Sequence, residues 1–188
     1  MNQYPEENFS VIIADMFTFI IGTARSGKSS YAENRLLELG QDSPKIYVAA
    51  AKVYDSEMAE RVALHQQRRA NMGFTTIERT HDLGGLELPA GACMLVESLS
   101  VWTANEMFTD SGINLQAGER VFADFMALRA RARHILLVSD DVFSDGEKYD
   151  ALTEEYIKTL GGLHVRLAAL ADEVIECISG IPLRYSII

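Results

Sequence analysis

The chain predicts an α/β domain: a mainly parallel sheet with helices on both faces and a C-terminal antiparallel hairpin. Three observations carry this. Short apolar runs alternate with longer stretches of helical spacing. The central runs, such as Cys93-Met-Leu-Val-Glu97, are continuously apolar, as strands covered on both faces are. Between the first run and the first helical stretch lies Gly22-Thr-Ala-Arg-Ser-Gly-Lys28-Ser29, which fits G-x-x-x-x-G-K-[ST] at every fixed position. The whole chain, 1–188, reads as one phosphate-loop (RecA-like) nucleotide-binding domain, without linker, repeat or low-complexity tract.

The elements follow in order. Residues 1 to about 15 form a lead-in, with a possible extra strand at Ser10–Ala14. Phe17–Ile21 reads as the first buried strand. Ser30–Leu39 reads as a helix closed by Gly40. Lys45–Ala50 is the second strand, Ser56–Asn71 a helix and Phe74–Glu78 a short strand. Cys93–Glu97 is a further buried strand, and Val101–Phe108 and Leu115–Arg133 have helical spacing. His134–Val138 is an apolar strand. Tyr149–Leu170 is helical, with a candidate break at Gly161-Gly162. Glu173–Ser179 and Leu183–Ile188 read as strands joined by a turn at Gly180–Pro182.

Bulk properties exclude several functions. The formal net charge is −10, from 27 acidic and 17 basic residues, which argues against generic nucleic-acid or anionic-membrane binding. An acidic protein that handles nucleotides must gather its positive charge locally. Cys93 and Cys177 lie far apart in apolar strands and show no metal-ligand or disulfide spacing. The N-terminus has no signal-peptide pattern, and no apolar run has membrane-spanning length. A cytoplasmic protein is expected.

The loop chemistry is specific. Gly22, Thr23, Ala24, Arg25, Ser26 and Gly27 form a curl whose amides point at phosphate oxygens, aided by the start of the following helix. Lys28 is placed to reach the β- and γ-phosphates, and the Ser29 hydroxyl to ligate Mg²⁺. Glu97 ends a buried strand, where ligands bind in open parallel sheets, so it is a second Mg²⁺ or nucleotide candidate. A solvent-facing strand-end carboxylate is the plainer alternative.

Glu57, Arg61, His65 and Arg69 recur at four-residue spacing and share one helix face, with Arg68 adjacent. On spacing alone, a solvated helix face is the better account. The sharper reading makes His65 a nucleophile toward an α-phosphate, with Arg61, Arg68 and Arg69 neutralising charge. His81, His134 and His164 are weaker candidates, structural or exposed.

These residues resemble a family. Gly22-Thr-Ala-Arg-Ser-Gly-Lys-Ser-Ser-Tyr-Ala-Glu33 is similar to G-x-A-R-S-G-K-S-x-x-A-E of the bifunctional adenosylcobinamide kinase/adenosylcobinamide-phosphate guanylyltransferases. Tyr47-Val-Ala-Ala-Ala51, Asp55-Ser-Glu-Met-Ala-Glu-Arg-Val62 and His65 continue the likeness, as do Leu95-Val-Glu97 and Asn105. The resemblance implies two reactions: phosphorylation of adenosylcobinamide, and GMP transfer from GTP to the product through a His–GMP adduct at His65. It also implies nucleotide contacts at Ala49, Ala50, Ala51, Glu78 and Glu97, use of GTP and ATP with Mg²⁺, a corrinoid partner and a homotrimer. The likeness is weaker at Ser139–Gly146, where the family carries N-E-V-G-x-G-x-V-P, and beyond it only Gly162 and Arg166-Leu-Ala suggest the family's downstream pattern. Two other readings stay open: a small-molecule kinase with an inert His65, and a nucleotide-binding regulatory protein without catalysis.

Overall fold

A computed structural model describes residues 15–51, 63, 66, 67, 69–143 and 146–185. In chain order its elements are β1 (Met16–Gly22), α1 (Lys28–Gly40), β2 (Lys45–Ala49), β3 (Phe74–Glu78), a 3₁₀ turn (Leu83–Gly85), β4 (Cys93–Glu97), α2 (Leu99–Met107), β5 (Phe108–Thr109), β6 (Gly112–Ile113), α3 (Ala117–Arg129), β7 (His134–Asp140), α4 (Ala151–Leu170), β8 (Glu173–Ile178) and β9 (Ile181–Tyr185). The expected extra strand at Ser10–Ala14 lies outside the described residues, as does most of the expected Ser56–Asn71 helix. Of the latter, the described residues 63, 66, 67 and 69–71 are helical.

Seven strands form one sheet in the order β3-β2-β4-β7-β1-β8-β9. Every neighbouring pair is parallel except β8 and β9. Alternation along each strand divides the core between two faces. Phe17 and Phe19 of β1, with Met94, Val96, Ile135 and Leu137, meet Trp102, Phe125, Leu160 and Leu167 from α2, α3 and α4. Ile20 of β1, with Tyr47, Leu95, Leu136 and Val138, meets Ala32, Leu36 and Leu39 of α1. Burying each large side chain contributes about 1.5–3 kcal/mol before chain entropy is counted. No helix among the described residues is long and apolar enough to cross a membrane.

Three expectations are corrected. The helix of Tyr149–Leu170 starts at Ala151 and runs unbroken through Gly161-Gly162. A Cβ on Gly161 would meet the Phe143 ring at 3.5 Å, an ordinary contact, so that ring packs against the helix at this glycine. The last turn is Ser179-Gly180, not Gly180–Pro182. Ser179 (φ 50°) and Gly180 (φ 85°) form a two-residue hairpin connection, and Ile181 already pairs with Ile178. The expected Val101–Phe108 and Leu115–Arg133 helices are α2 and the shorter α3. Ser98 caps α2 by accepting from the Val101 amide at 3.4 Å. The short β5–β6 pair occupies the space between them.

Candidate nucleotide site

The site lies at the C-terminal ends of β1, β2, β4 and β7. β1 delivers the loop. A Cβ on Gly22 would stand 2.4 Å from Ser26 Oγ and 2.8 Å from the Cys177 carbonyl oxygen, so only glycine allows the curl to start there. Gly27 ends the loop at φ 90°, left-handed backbone that glycine adopts freely. No side chain caps the start of α1. The Gly180 amide of the β8–β9 turn donates to the Ser26 carbonyl at 2.9 Å and braces the loop from outside. Thr23, Ala24, Arg25 and Gly27 are exposed, Ser29 is half-buried, and Ser26 and Lys28 are buried.

Lys28 Nζ lies 2.8 Å from Asp140 Oδ1 and donates to the Thr23 carbonyl at 3.0 Å. Asp140 ends β7, which the sheet order sets between the loop strand and the Glu97 strand. The Ser98 hydroxyl reaches Asp140 Oδ2 at 3.3 Å, and the Ser100 hydroxyl donates to the same oxygen. Burial alone raises the Asp140 pKa. Hydrogen bonds from Lys28 and Ser100, the Lys28 charge and the Ser98 hydroxyl together outweigh it and hold the carboxyl below the usual range. Tyr156 donates to the Ser100 carbonyl at 3.0 Å. Its phenol is pushed up to about 12, first by burial and then by the Asp140 charge.

Glu97 ends β4 beside the loop. Ser29 Oγ donates to Glu97 Oε1, and Tyr47 donates to Oε2 at 2.8 Å. Burial and the Glu97 charge push the Tyr47 pKa far up, so it stays a donor. A hydroxyl and a carboxylate in contact are hard oxygen donors, the set that suits Mg²⁺ held jointly with phosphates. The residues therefore fit the ion. Among the described residues no group of three or more His, Cys, Asp or Glu could hold a metal unaided.

The remaining candidates are placed unevenly. Ala50 is fully buried; its amide donates to the Glu97 carbonyl at 3.0 Å, and its carbonyl accepts from Asn105 at 2.8 Å. Its backbone is therefore committed to the sheet edge. Ala49 and Ala51 are half-buried, and Glu78 is exposed and accepts from Gln66. His65, Arg61 and Arg68 lie outside the described residues. Arg69 is not on a solvated patch. It is 5 % exposed, 3.7 Å from Glu33 Oε1 and 3.7 Å over the Tyr47 ring. A buried guanidinium so paired acts through its neighbours, and here the neighbour is the tyrosine that holds Glu97.

His164 and His134 are core residues. His164 Nε2 and Ser139 Oγ share a 2.7 Å hydrogen bond, and the ring packs edge-on against Phe19 and Phe143. Burial lowers its pKa to about 4. His134 Nδ1 accepts from the Met16 amide at 3.2 Å, and burial lowers its pKa too. Cys93 and Cys177 are buried and free.

Sequence reasoning missed Asp140, Ser98, Ser100 and Tyr47 as parts of the site. The strand-end rule that singled out Glu97 applies equally to Asp140, the last residue of a neighbouring strand. Tyr47 carried no such signal, because only the fold brings its hydroxyl to Glu97.

The family described as cobinamide kinase / cobinamide phosphate guanyltransferase matches residues 18–185. The bifunctional adenosylcobalamin biosynthesis protein CobP of Pseudomonas aeruginosa is 33% identical over 171 residues, covering 89% of this chain and 96% of that protein. The bifunctional adenosylcobalamin biosynthesis proteins CobU of Escherichia coli and Salmonella typhimurium are 28% and 29% identical, each covering 90% of this chain and 99% of theirs. Among solved structures, the ATPase domain of G40P covers 86% of this chain and 69% of its own, at TM-score 0.44 and 9% identity.

Proposed function

The chain belongs to the cobinamide kinase / cobinamide phosphate guanyltransferase family, a family of kinases and nucleotidyltransferases, and on that premise we propose how its residues divide the two reactions. In the first, the hydroxyl of adenosylcobinamide attacks the γ-phosphorus of a nucleoside triphosphate. The O–H bond breaks and its proton leaves to water. A new O–P bond forms, and the γ-phosphorus to bridging-oxygen bond breaks, releasing the diphosphate. In the second, a His65 ring nitrogen attacks the α-phosphorus of GTP and expels pyrophosphate. An oxygen of adenosylcobinamide phosphate then takes the GMP from His65, giving adenosylcobinamide-GDP and the free histidine.

The observation that carries this reading is the paired arrangement around the loop: Lys28 held beside Asp140, and Ser29 joined to Glu97. Lys28 and the amides of Gly22–Ser29 bind and orient the triphosphate, and Lys28 offsets charge building on its oxygens. Ser29 and Glu97 would hold Mg²⁺, which supplies Lewis-acid neutralisation of phosphate charge. Tyr47 fixes the Glu97 carboxylate, and Arg69 fixes Tyr47. Arg61 and Arg68 add positive charge near His65 in sequence. Ala49, Ala51 and Glu78, at the ends of β2 and β3, border the nucleotide. As a soluble enzyme of small-molecule metabolism the protein would act in the cytoplasm, as a homotrimer.

Product analysis tests the assignment. Adenosylcobinamide with ATP should give its phosphate, and addition of GTP should convert that phosphate to adenosylcobinamide-GDP with release of pyrophosphate. No corrinoid product with either nucleotide would overturn it.

A further inference from the structure

A cavity of about 300 Å³ opens beside the segment that follows β7. Val142, Phe143, Tyr149 and Ile157 supply its apolar wall, and Glu154 and Lys158 are among its polar residues. We propose that this cavity is the acceptor subsite: it takes one amide-bearing edge of the corrinoid and so directs the substrate's hydroxyl arm toward the phosphate loop. The proposal deepens the function proposed above and rests on it.

Position is the first argument. The Asp141 amide donates to the Gly22 carbonyl at 3.0 Å, and Asp140 is 2.8 Å from Lys28. Val142 is two residues past Asp140, so the cavity wall begins within about 7 Å of chain from the residue that pairs with the phosphate-binding lysine. An acceptor bound there stands beside the terminal phosphate. Two further cavities among the described residues lie elsewhere: one beside Pro44 and Arg133 near the strand starts, another beside Arg35 and Arg184 on the β8–β9 side.

Charge is the second argument. Among the described lining residues one cation, Lys158, stands with two carboxylates, Glu147 and Glu154, and it lies 3.7 Å from Glu155 besides, so the cavity is ill-suited to an anionic nucleotide. It suits a neutral group with N–H donors on an apolar body. Cobinamide is such a group: a flat macrocycle fringed by primary amides, with a hydroxyl-ended arm. Carboxylates accept from the amides while the aromatic rings cover the macrocycle edge. A cavity this small holds only that edge and leaves the rest of the corrinoid outside.

Rigidity is the third. Phe143 is 42 % exposed, yet its ring is fixed from beneath. It packs edge-on against His164 with centroids 5.1 Å apart and lies over the bare Gly161 face. An exposed aromatic held in one place loses little entropy when a ligand covers it.

Equilibrium dialysis with adenosylcobinamide, read by its visible absorbance, tests this on the full chain. The variants are Phe143→Ala and the milder surface change Glu154→Gln, with nucleotide affinity measured on each preparation. The expected result is that Phe143→Ala weakens adenosylcobinamide binding and raises its KM about tenfold or more, and Glu154→Gln does so severalfold. The nucleotide Kd should move less than about threefold, since neither residue borders the loop. Unchanged corrinoid Kd and KM in both variants would overturn the subsite. So would equal weakening of corrinoid and nucleotide, which would mark a general disturbance of the loop. If the wild-type protein neither binds nor phosphorylates adenosylcobinamide, the function itself is wrong and the subsite falls with it.

Discussion

Lys28 and Asp140 form an ion pair, 2.8 Å between Nζ and Oδ1, that ties the end of the phosphate loop to the end of the adjacent strand. The lysine proposed to reach nucleotide phosphates is thus already paired with a carboxylate.

Asp140 would compete with a bound phosphate for Lys28 and repel the anion. Asp140→Asn keeps the hydrogen bonds from Ser98 and Ser100 but removes the charge. Nucleotide affinity should rise severalfold, up to about tenfold, by titration calorimetry. Weaker binding would mean that Asp140 holds Lys28 in its productive place.

The line Glu33–Arg69–Tyr47–Glu97 should behave as one unit. Tyr47→Phe removes a hydrogen bond to a carboxylate and should cost about 1–2 kcal/mol in urea denaturation, with a raised Mg²⁺ requirement. Arg69→Met removes the positive partner of the buried Glu33 and should cost about 3 kcal/mol or more. Full stability in Arg69→Met would show that Glu33 has no need of it.

Much of this was legible in the sequence, and the rest was not for definite reasons. The strands Cys93–Glu97 and Phe74–Glu78 stand where the pattern puts them, the first because it is continuously apolar up to its final Glu97, the second because its Thr and Ile residues are β-branched and follow the turn residue Gly73. The phosphate loop was legible for the same local reason. Gly161-Gly162 misled because glycine breaks helices only on average; here the pair lies inside the 20-residue helix α4, with the Phe143 ring packed against Gly161. Arg69 misled because helix-face spacing cannot tell a solvated charge from one folded onto Glu33 and Tyr47. Those contacts join α1, β2 and the residues before β3, and no local pattern encodes them.

His164 makes stability depend on acid. Its folded pKa, about 4, lies below the ordinary value of 6.5. Its contribution is therefore complete above about pH 6.5 and is lost as pH falls toward 4, in total on the order of 3 kcal/mol. His134 shifts in the same direction. Urea midpoints at pH 7.5 and 5 should differ in the wild type and differ less in His164→Leu. An equal difference in both would place the acid sensitivity elsewhere.

Gly22→Ala is expected to abolish nucleotide binding. Its Cβ would overlap Ser26 Oγ and the Cys177 carbonyl, and the latter is backbone that cannot step aside cheaply. Retained binding by calorimetry would mean that the loop accommodates a side chain by moving as a whole.

Guanylyl transfer through a protein adduct, as proposed, needs both the loop and His65. Intact-protein mass after incubation with GTP and Mg²⁺ tests it, beside ATP and a His65→Ala variant. An acid-labile adduct of GMP mass is expected in the wild type with GTP and none in His65→Ala. No adduct under conditions where GTP is shown to bind would contradict it and leave a kinase in which His65 takes no part.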